Sequence, residues 1–348
     1  MTSAILSVAT AVPEHRLDPA EAVGHLRQFW PQLDKLGEAD ATLGARYTCE
    51  PVEQLLRRRT LDQLRDSYLR HARHLALASA HRALGLAGLR GRDIDLVITV
   101  SCTGYLVPSL DVHMSEALGF RSDILRLPIT ELGCSAGASA IAAAHRHLLA
   151  FPEHKVLVVA VEVPSLSFQE ADRSVDNLTA CLVFGDGSGA AVLGGAEPRP
   201  GHLEVVRAAS HLVPATANIL GFDLGDGGFH VVLDRRLPRI VLRELKPVVE
   251  RFLAAGEMGE PDFYAVHAAG PRIFDAIQAA LGLPAGALDA SRAVFSEVGN
   301  TSSAAIFFTL EKVIQQGATR RCDGLGIGLG PGISLELMQL AWMPADRR

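Results

Sequence analysis

The sequence predicts an α/β protein made of two similar halves, each a mixed sheet covered by helices on both faces. Strand-length apolar runs alternate with helical periodicity, and three segments recur in the same order in the second half of the chain. TELGCSAGASAIAAAHRHLL (130–149) has a partner in SEVGNTSSAAIFFTLEKVI (296–314). Both read small residue, Glu, aliphatic, Gly, then a polar residue opening a helix. DIDLVITVSCTG (93–104) pairs with EPDFYAVHAAGP (260–271), and the glycine hairpin FGDGSGAAVL (184–193) with IGLGPGISLEL (327–337). The offset is 166 residues between Cys134 and Asn300 and 165 between Cys102 and His267. Two near-equal offsets favour duplication over chance, with an N-terminal half over 1–200 and a C-terminal half over 201–348.

Each element has its own signal. The run 4–12 is nine residues, lacks a preceding basic residue and is interrupted by Ser7 and Thr10. It reads as a first strand, not a signal peptide. From 55 to 84, Leu61, Leu64, Tyr68, Leu69 and Leu75 fall at helical spacing without an internal Gly or Pro, which predicts one long amphipathic helix. Arg57, Arg58, Arg59, Arg65, Arg70 and Arg73 read as its solvated face. Residues 94–102 (IDLVITVSC) form an apolar, β-branched run suited to a strand covered on both sides. The glycines at 133 and 299 mark strand-to-helix elbows, and His267 follows the strand before the second.

Composition sets the limits. The 348 residues are 48% hydrophobic and 21% charged, with 32 Gly and 18 Pro, as in a globular protein with a large core. The net charge of −6 offers no basic excess for a nucleic-acid backbone or an anionic membrane. No run of 18 uncharged apolar residues is present to span a bilayer. Cys49, Cys102, Cys134, Cys181 and Cys322 are odd in number and widely spaced, without a CxxC pair, which argues for reduced thiols in a cytoplasm and against a structural zinc site.

Duplication about a pseudo-two-fold axis brings equivalent elbows together, so Cys134 and Asn300 face one another near His267. A thiol at the first turn of a helix meets unpaired N–H groups and the positive end of the dipole, which favour the thiolate. An imidazole can take its proton, and an Asn amide can donate to a developing oxyanion. Alone, each residue reads as core packing, a surface histidine or a helix cap; together they read as a site.

In order and spacing, ELGCSAG (131–137), LVFGDG (182–187), AVHAAGP (265–271), SEVGNTSSA (296–304) and GLGPG (328–332) resemble the type III polyketide synthases of the chalcone synthase family. The likeness runs from Arg46 to Leu340. It implies a thiolase-like fold in a layered αβαβα arrangement, a homodimer, and iterative condensation of malonyl-CoA onto an acyl-CoA starter in secondary metabolism. Cys134 matches the nucleophile, and His267 and Asn300 match the pair that binds the malonyl thioester carbonyl. No metal or redox cofactor is implied; coenzyme A thioesters are substrates. Phe184 and Phe229 match two phenylalanines between the CoA tunnel and the cavity, where aromatic walls exclude water. Glu162, Ser167 and Ser302 match polar cavity positions.

Departures bear on the product. Cys102 stands where plant enzymes carry Thr and resembles the second cavity cysteine of bacterial tetrahydroxynaphthalene synthases. Leu106 and Val107 replace the paired methionines of those enzymes. Leu220 falls at a cavity position that is Gly in chalcone synthase. The plant CoA-phosphate residues have no clear counterpart, leaving Arg46 or the 57–59 run as substitutes, while Arg272 falls where a family backbone group contacts CoA. The competing readings are a ketoacyl synthase III type enzyme condensing once with malonyl-acyl-carrier protein, a cysteine hydrolase, and a silent scaffold subunit.

Overall fold

The computed structural model describes residues 2–30, 44–195, 201–225 and 228–344. The chain opens with β1 (Ser3–Ala11), β2 (His15–Leu17), α1 (Pro19–Leu26), β3 (Arg46–Thr48) and α2 (Val52–Leu55). It continues through α3 (Leu61–Ala87), β4 (Leu96–Val100), α4 (Leu110–Leu118), β5 (Leu125–Ile129), α5 (Ala136–Ala150), β6 (Lys155–Glu162), α6 (Val175–Val183) and β7 (Gly187–Gly195). The later part runs β8 (His202–Leu212), β9 (Leu220–Gly225), β10 (Gly228–Leu233), α7 (Leu237–Ala255), β11 (Phe263–Val266), α8 (Pro271–Leu281) and α9 (Asp289–Val298). It closes with α10 (Ala305–Gln316), β12 (Cys322–Gly330) and β13 (Ser334–Met343).

Nine strands form one sheet in the order β11-β12-β13-β8-β1-β7-β6-β4-β5. The repeat is visible in the pairing. β4 and β6 are parallel, β6 and β7 antiparallel, β7 and β1 antiparallel. In the same pattern β11 and β12 are parallel, β12 and β13 antiparallel, β13 and β8 antiparallel. The two sets join where β1 meets β8 over Ser3–Ile5.

Cover on both faces follows from the strand sequences. Along β6, Val156, Val158 and Ala160 enter one core with α5 and α10, while Leu157, Val159 and Val161 enter a second core with α3 and α4. A strand buried on both sides has no reason to alternate polar and apolar residues. α5 is buried on most of its circumference, which its Ala-rich sequence AGASAIAAAHRHLLA permits by keeping the helix thin. β5 ends the sheet, and its Leu125 and Leu127 remain exposed.

Three sequence expectations are corrected. The helix expected over 55–84 begins only at Leu61, after a break that follows α2, because Thr60 caps α3: its side chain accepts from Gln63 N while the Gln63 side chain accepts from Thr60 N. Arg59 leaves the solvated face with that break and pairs with Glu50, which also accepts from Ser67 Oγ at 2.8 Å. Of the two glycine segments, only 327–337 is a hairpin, turning through Pro331, Gly332 and Ile333; the segment at 184 leaves a helix and enters β7.

Candidate functional site

Cys134 lies in a 3₁₀ turn (Gly133–Ser135) that leads into α5, and Asn300 lies between α9 and a matching turn (Ser302–Ala304) that leads into α10. The two elbows touch. A Cβ added to Gly137 would fall 2.0 Å from the Ser303 carbonyl oxygen, so only glycine lets α5 approach this closely. His267 is the first residue after β11 and is 1% exposed.

A path of contacts through Ser302 and Ala269 connects the three residues. Cys134 Sγ lies 3.3 Å from Ser302 Oγ, and Ser302 N donates to Asn300 Oδ1 at 2.9 Å. That bond fixes the amide orientation, because Oδ1 is engaged as acceptor and Nδ2 is left to donate. One Nδ2 proton goes to Ala269 O at 3.3 Å, and Ala269 N donates to His267 O at 2.7 Å. Among the described residues the second Nδ2 proton meets no acceptor, which leaves it for a ligand oxygen. Ser302 holds its place at φ +50°, a left-handed conformation that costs a non-glycine residue energy and is concentrated at functional sites.

Behind Cys134 lies a polar network around Glu162, which is fully buried. Its carboxylate accepts from Thr103 Oγ1 at 2.8 Å, from Thr103 N and Cys102 N at 3.1 Å each, and from Ser303 Oγ. Cys102 Sγ donates to Glu162 at 3.4 Å and lies 3.5 Å from Ser302 Oγ. Cys102, Cys134, Glu162 and Ser302 therefore share one hydrogen-bonded patch, extended by Tyr68 Oη, which donates to Ser101 Oγ at 2.7 Å. Sequence reading gives Tyr68 only a place in the helical period, and it gives Thr103 and Ser303 no role although they lie inside the segments 93–104 and 296–304.

Burial governs the titration of the site. It pushes the Cys134 thiol up to about 12, with the Ser302 hydrogen bond opposing. It pushes His267 down to about 4, and it raises Cys102 and Glu162. The helix start favours a thiolate; burial acts in the opposite direction, favouring the thiol at Cys134 and the neutral imidazole at His267.

The remaining candidates separate into those near the patch and those away from it. Phe184 follows the last residue of α6 and forms a bridge with Asn300; Phe229 is the second residue of β10 and packs edge-on to Phe222 at 5.8 Å. Phe184 and Ser167 line an apolar cavity with Leu26, Leu55, Phe168, Phe222 and Val231. Leu220 starts β9, opposite Leu233 of β10. Val107, by contrast, is 81% exposed and lies outside this chain's own cavity. Arg272 is exposed in the first turn of α8. Arg46 is only 3% exposed, which removes it as a ligand for CoA phosphates; Arg57 and Arg58 stay exposed. Among the described residues no His, Cys, Asp and Glu cluster suits a metal ion, and no helix is long and apolar enough to cross a membrane.

Paired elbows with a thiol on one, an amide on the other and a histidine at the adjoining strand end define a condensing enzyme of the thiolase-like fold. Residues 51–198 match the N-terminal domain of chalcone and stilbene synthases and residues 204–344 the C-terminal domain. The chain belongs to that family, the type III polyketide synthases. It is 36% identical over 350 residues to a 1,3,6,8-tetrahydroxynaphthalene synthase of Streptomyces coelicolor, covering 98% of this chain and 92% of that one. It is 30% identical to a phloroglucinol synthase of Pseudomonas fluorescens, over 95% of this chain and 96% of that one. The crystal structure of the Streptomyces coelicolor tetrahydroxynaphthalene synthase superposes with a TM-score of 0.93 at 35% identity, covering 98% of this chain and all of the other. Germicidin synthase of the same organism gives 0.90 at 26% identity, over 98% and 100% of the two chains. These relatives do not favour the ketoacyl synthase III reading.

Proposed function

We propose that Cys134 carries the starter and the growing chain as a thioester, while His267 and Asn300 hold the malonyl thioester carbonyl. The observation that supports this division is the contact path from Cys134 through Ser302 and Asn300 to the His267 backbone, with Asn300 Nδ2 fixed as a donor. Starter loading transfers the acyl group from CoA to Sγ, and the thiol proton leaves with the CoA sulfur. Loss of CO2 from malonyl-CoA leaves an enolate, and neutral donors placed at its oxygen stabilise it, each worth about 100-fold or more. The enolate carbon attacks the Cys134 thioester and expels the Cys134 sulfur, leaving a β-ketoacyl-CoA two carbons longer. Return of that chain to Cys134 repeats the cycle.

Phe184 and Phe229 serve as aromatic walls that keep water from the enolate. Cys102, Glu162, Ser167, Leu220 and Ser302 shape the cavity in which an aromatic or pyrone product closes, and exposed Arg272 sits at the CoA side. Purified protein is incubated with malonyl-CoA alone and with a panel of acyl-CoA starters, and products are identified by mass spectrometry. A product from malonyl-CoA alone places the chain with makers of all-malonyl aromatics, and a product only with added acyl-CoA makes it a pyrone or resorcinol former. Thioester hydrolysis without a new carbon–carbon bond, or a requirement for malonyl-acyl-carrier protein, overturns the reading.

The reading includes a homodimer, supported by the sheet edge. Among the described residues β5 pairs only with β4, so its outer edge presents unpaired backbone groups beside exposed Leu125 and Leu127, an edge that soluble proteins cover or charge. Leu127→Lys is expected to shift the protein to monomer in sedimentation velocity; an unchanged sedimentation coefficient moves the interface elsewhere.

A further inference from the structure

We infer that Arg46 is a positioning residue for the Asn300 amide, acting from behind the bridge between Phe184 and Asn300. The inference rests on the role proposed above for Asn300.

Arg46 opens β3 and is nearly enclosed by protein. Its Nε donates to Leu182 O at 3.1 Å, and its Nη1 donates to Ala45 O at 2.8 Å, Gly44 O at 3.2 Å and Phe295 O at 3.3 Å. The guanidinium lies 4.6 Å from the centre of the Phe295 ring. Leu182 belongs to the last turn of α6 and Phe295 to the last turn of α9. Phe295 O also accepts from Gly299 N at 3.0 Å, so Arg46 is its second donor; carbonyls of a last turn carry the negative end of the helix dipole, so a buried cation is stabilised between two such ends.

Both helices release the chain straight into the site. α6 leads into Phe184, and α9 leads through Gly299 into Asn300. The two exits are stitched by Asn300 N to Val183 O at 3.0 Å and Gly185 N to Asn300 O at 3.1 Å. The Arg46 fork therefore fixes the two helix ends relative to one another just before each reaches a site residue. Space for it is provided by Gly299, where a Cβ would fall 2.5 Å from Arg46 Cδ. Neighbouring residues of the same strap complete the attachment: Asp186 N donates to Tyr47 O at 2.8 Å, and Cys49 N donates to Asp186 Oδ2 at 2.7 Å. A lysine keeps the charge but lacks the planar fork that bonds two acceptors at once.

Arg46→Lys separates this role from general support of the fold. Three quantities are measured on the intact protein: CO2 release from malonyl-CoA, labelling of Cys134 by a radiolabelled acyl-CoA, and the same CO2 release in an Asn300→Ala background. Displacing a donor by about 1 Å costs on the order of 100-fold. The expected result is a kcat for CO2 release lowered about 10- to 100-fold, with KM and the rate of Cys134 acylation within about threefold, and no additional loss in the Asn300→Ala background. Phe295→Leu leaves the carbonyl bonds and removes the ring face; it is expected to lower CO2 release about threefold and serves where the lysine variant fails to fold. Acylation that falls in parallel with CO2 release, a full additional loss in the Asn300→Ala background, or wild-type rates in both variants overturn the role of Arg46. Failure of the underlying reading is distinct: the wild type then releases no CO2, or Asn300→Ala releases it at the wild-type rate.

Discussion

Gly137→Ala tests the central geometric claim, that the two elbows are held in contact by an absent side chain. The added Cβ would lie 2.0 Å from Ser303 O, 2.9 Å from Ile306 Cγ2 and 3.1 Å from Phe307 Cε2. A carbon and a carbonyl oxygen in contact sit about 3.3 Å apart, so the seam must open by more than about 1 Å. Backbone oxygen cannot swing away as a side-chain tip does. Overpacking of this kind costs about 1–3 kcal/mol. The contact between Cys134 and Ser302 crosses the same seam, so chain extension is expected to fall on the order of 100-fold in whatever protein remains folded. Urea unfolding gives the stability change, and radiolabelled malonyl-CoA incorporation gives the activity. Gly85→Ala is the control: this residue is exposed in α3 with nothing within 4 Å of its added Cβ, and a gain of up to about 1 kcal/mol is expected. Wild-type stability and turnover in Gly137→Ala would refute the reasoning.

Three further outcomes are expected. Cys134→Ala abolishes chain extension yet retains malonyl-CoA decarboxylation within about tenfold, because the donors at the enolate oxygen remain; loss of both in a folded variant contradicts the division of roles. Cys102→Ser alters product distribution more than malonyl-CoA consumption, since Ser302 stands in hydrogen-bond contact with both Cys102 and Cys134, and an unchanged product profile in chromatography assigns Cys102 to packing. Thr60→Ala removes the cap of α3 and lowers stability by about 1 kcal/mol in chemical denaturation, with kinetic constants unchanged.

How far the sequence could be read depended on whether a feature was local or shared across the chain. The duplication was legible because the paired motifs at 130 and 296 keep their Glu, aliphatic and Gly in order, and the contact of Gly137 with Ser303 is where that order becomes geometry. The split of the 55–84 helix was missed although Thr60 and Gln63 spell a capping box, because leucine spacing across the break preserved the helical period. Arg59 was assigned to solvent for the same reason, as its partner Glu50 precedes the helix and carries no periodic signal. Arg46 could be read only as a positive charge; the carbonyls that hold it belong to residues 182 and 295, and backbone acceptors leave no trace in side-chain identity. Protonation was the least legible property, since the helix start and burial act on Cys134 in opposite directions and only the fold shows how much protein surrounds the thiol.

The pairing of halves also explains how a symmetric scaffold performs an asymmetric reaction. Aligning the repeats sets Cys134 against Asn300 and Cys102 against His267, so both thiols come from one half and both hydrogen-bonding donors from the other. A condensation needs one component held covalently and the other held by its carbonyl oxygen, two tasks that demand different chemistry at nearly the same place. A thiol gives the covalent bond, and it is a poor donor to an enolate. A neutral amide and imidazole are good donors, and an amide forms no thioester. On the roles proposed for Cys134, His267 and Asn300, substitution at two equivalent positions converts one duplicated frame into a carrier half and a donor half. Ser302 is placed to register them, since its hydroxyl touches Cys134 while its backbone N–H fixes the Asn300 amide. Arg46 stands outside the repeat, on the strap formed by β3, and the helix ends it joins come one from each half. The seam between the halves is thus fixed by residues on both of its sides, which is what two reactants approaching from opposite halves require.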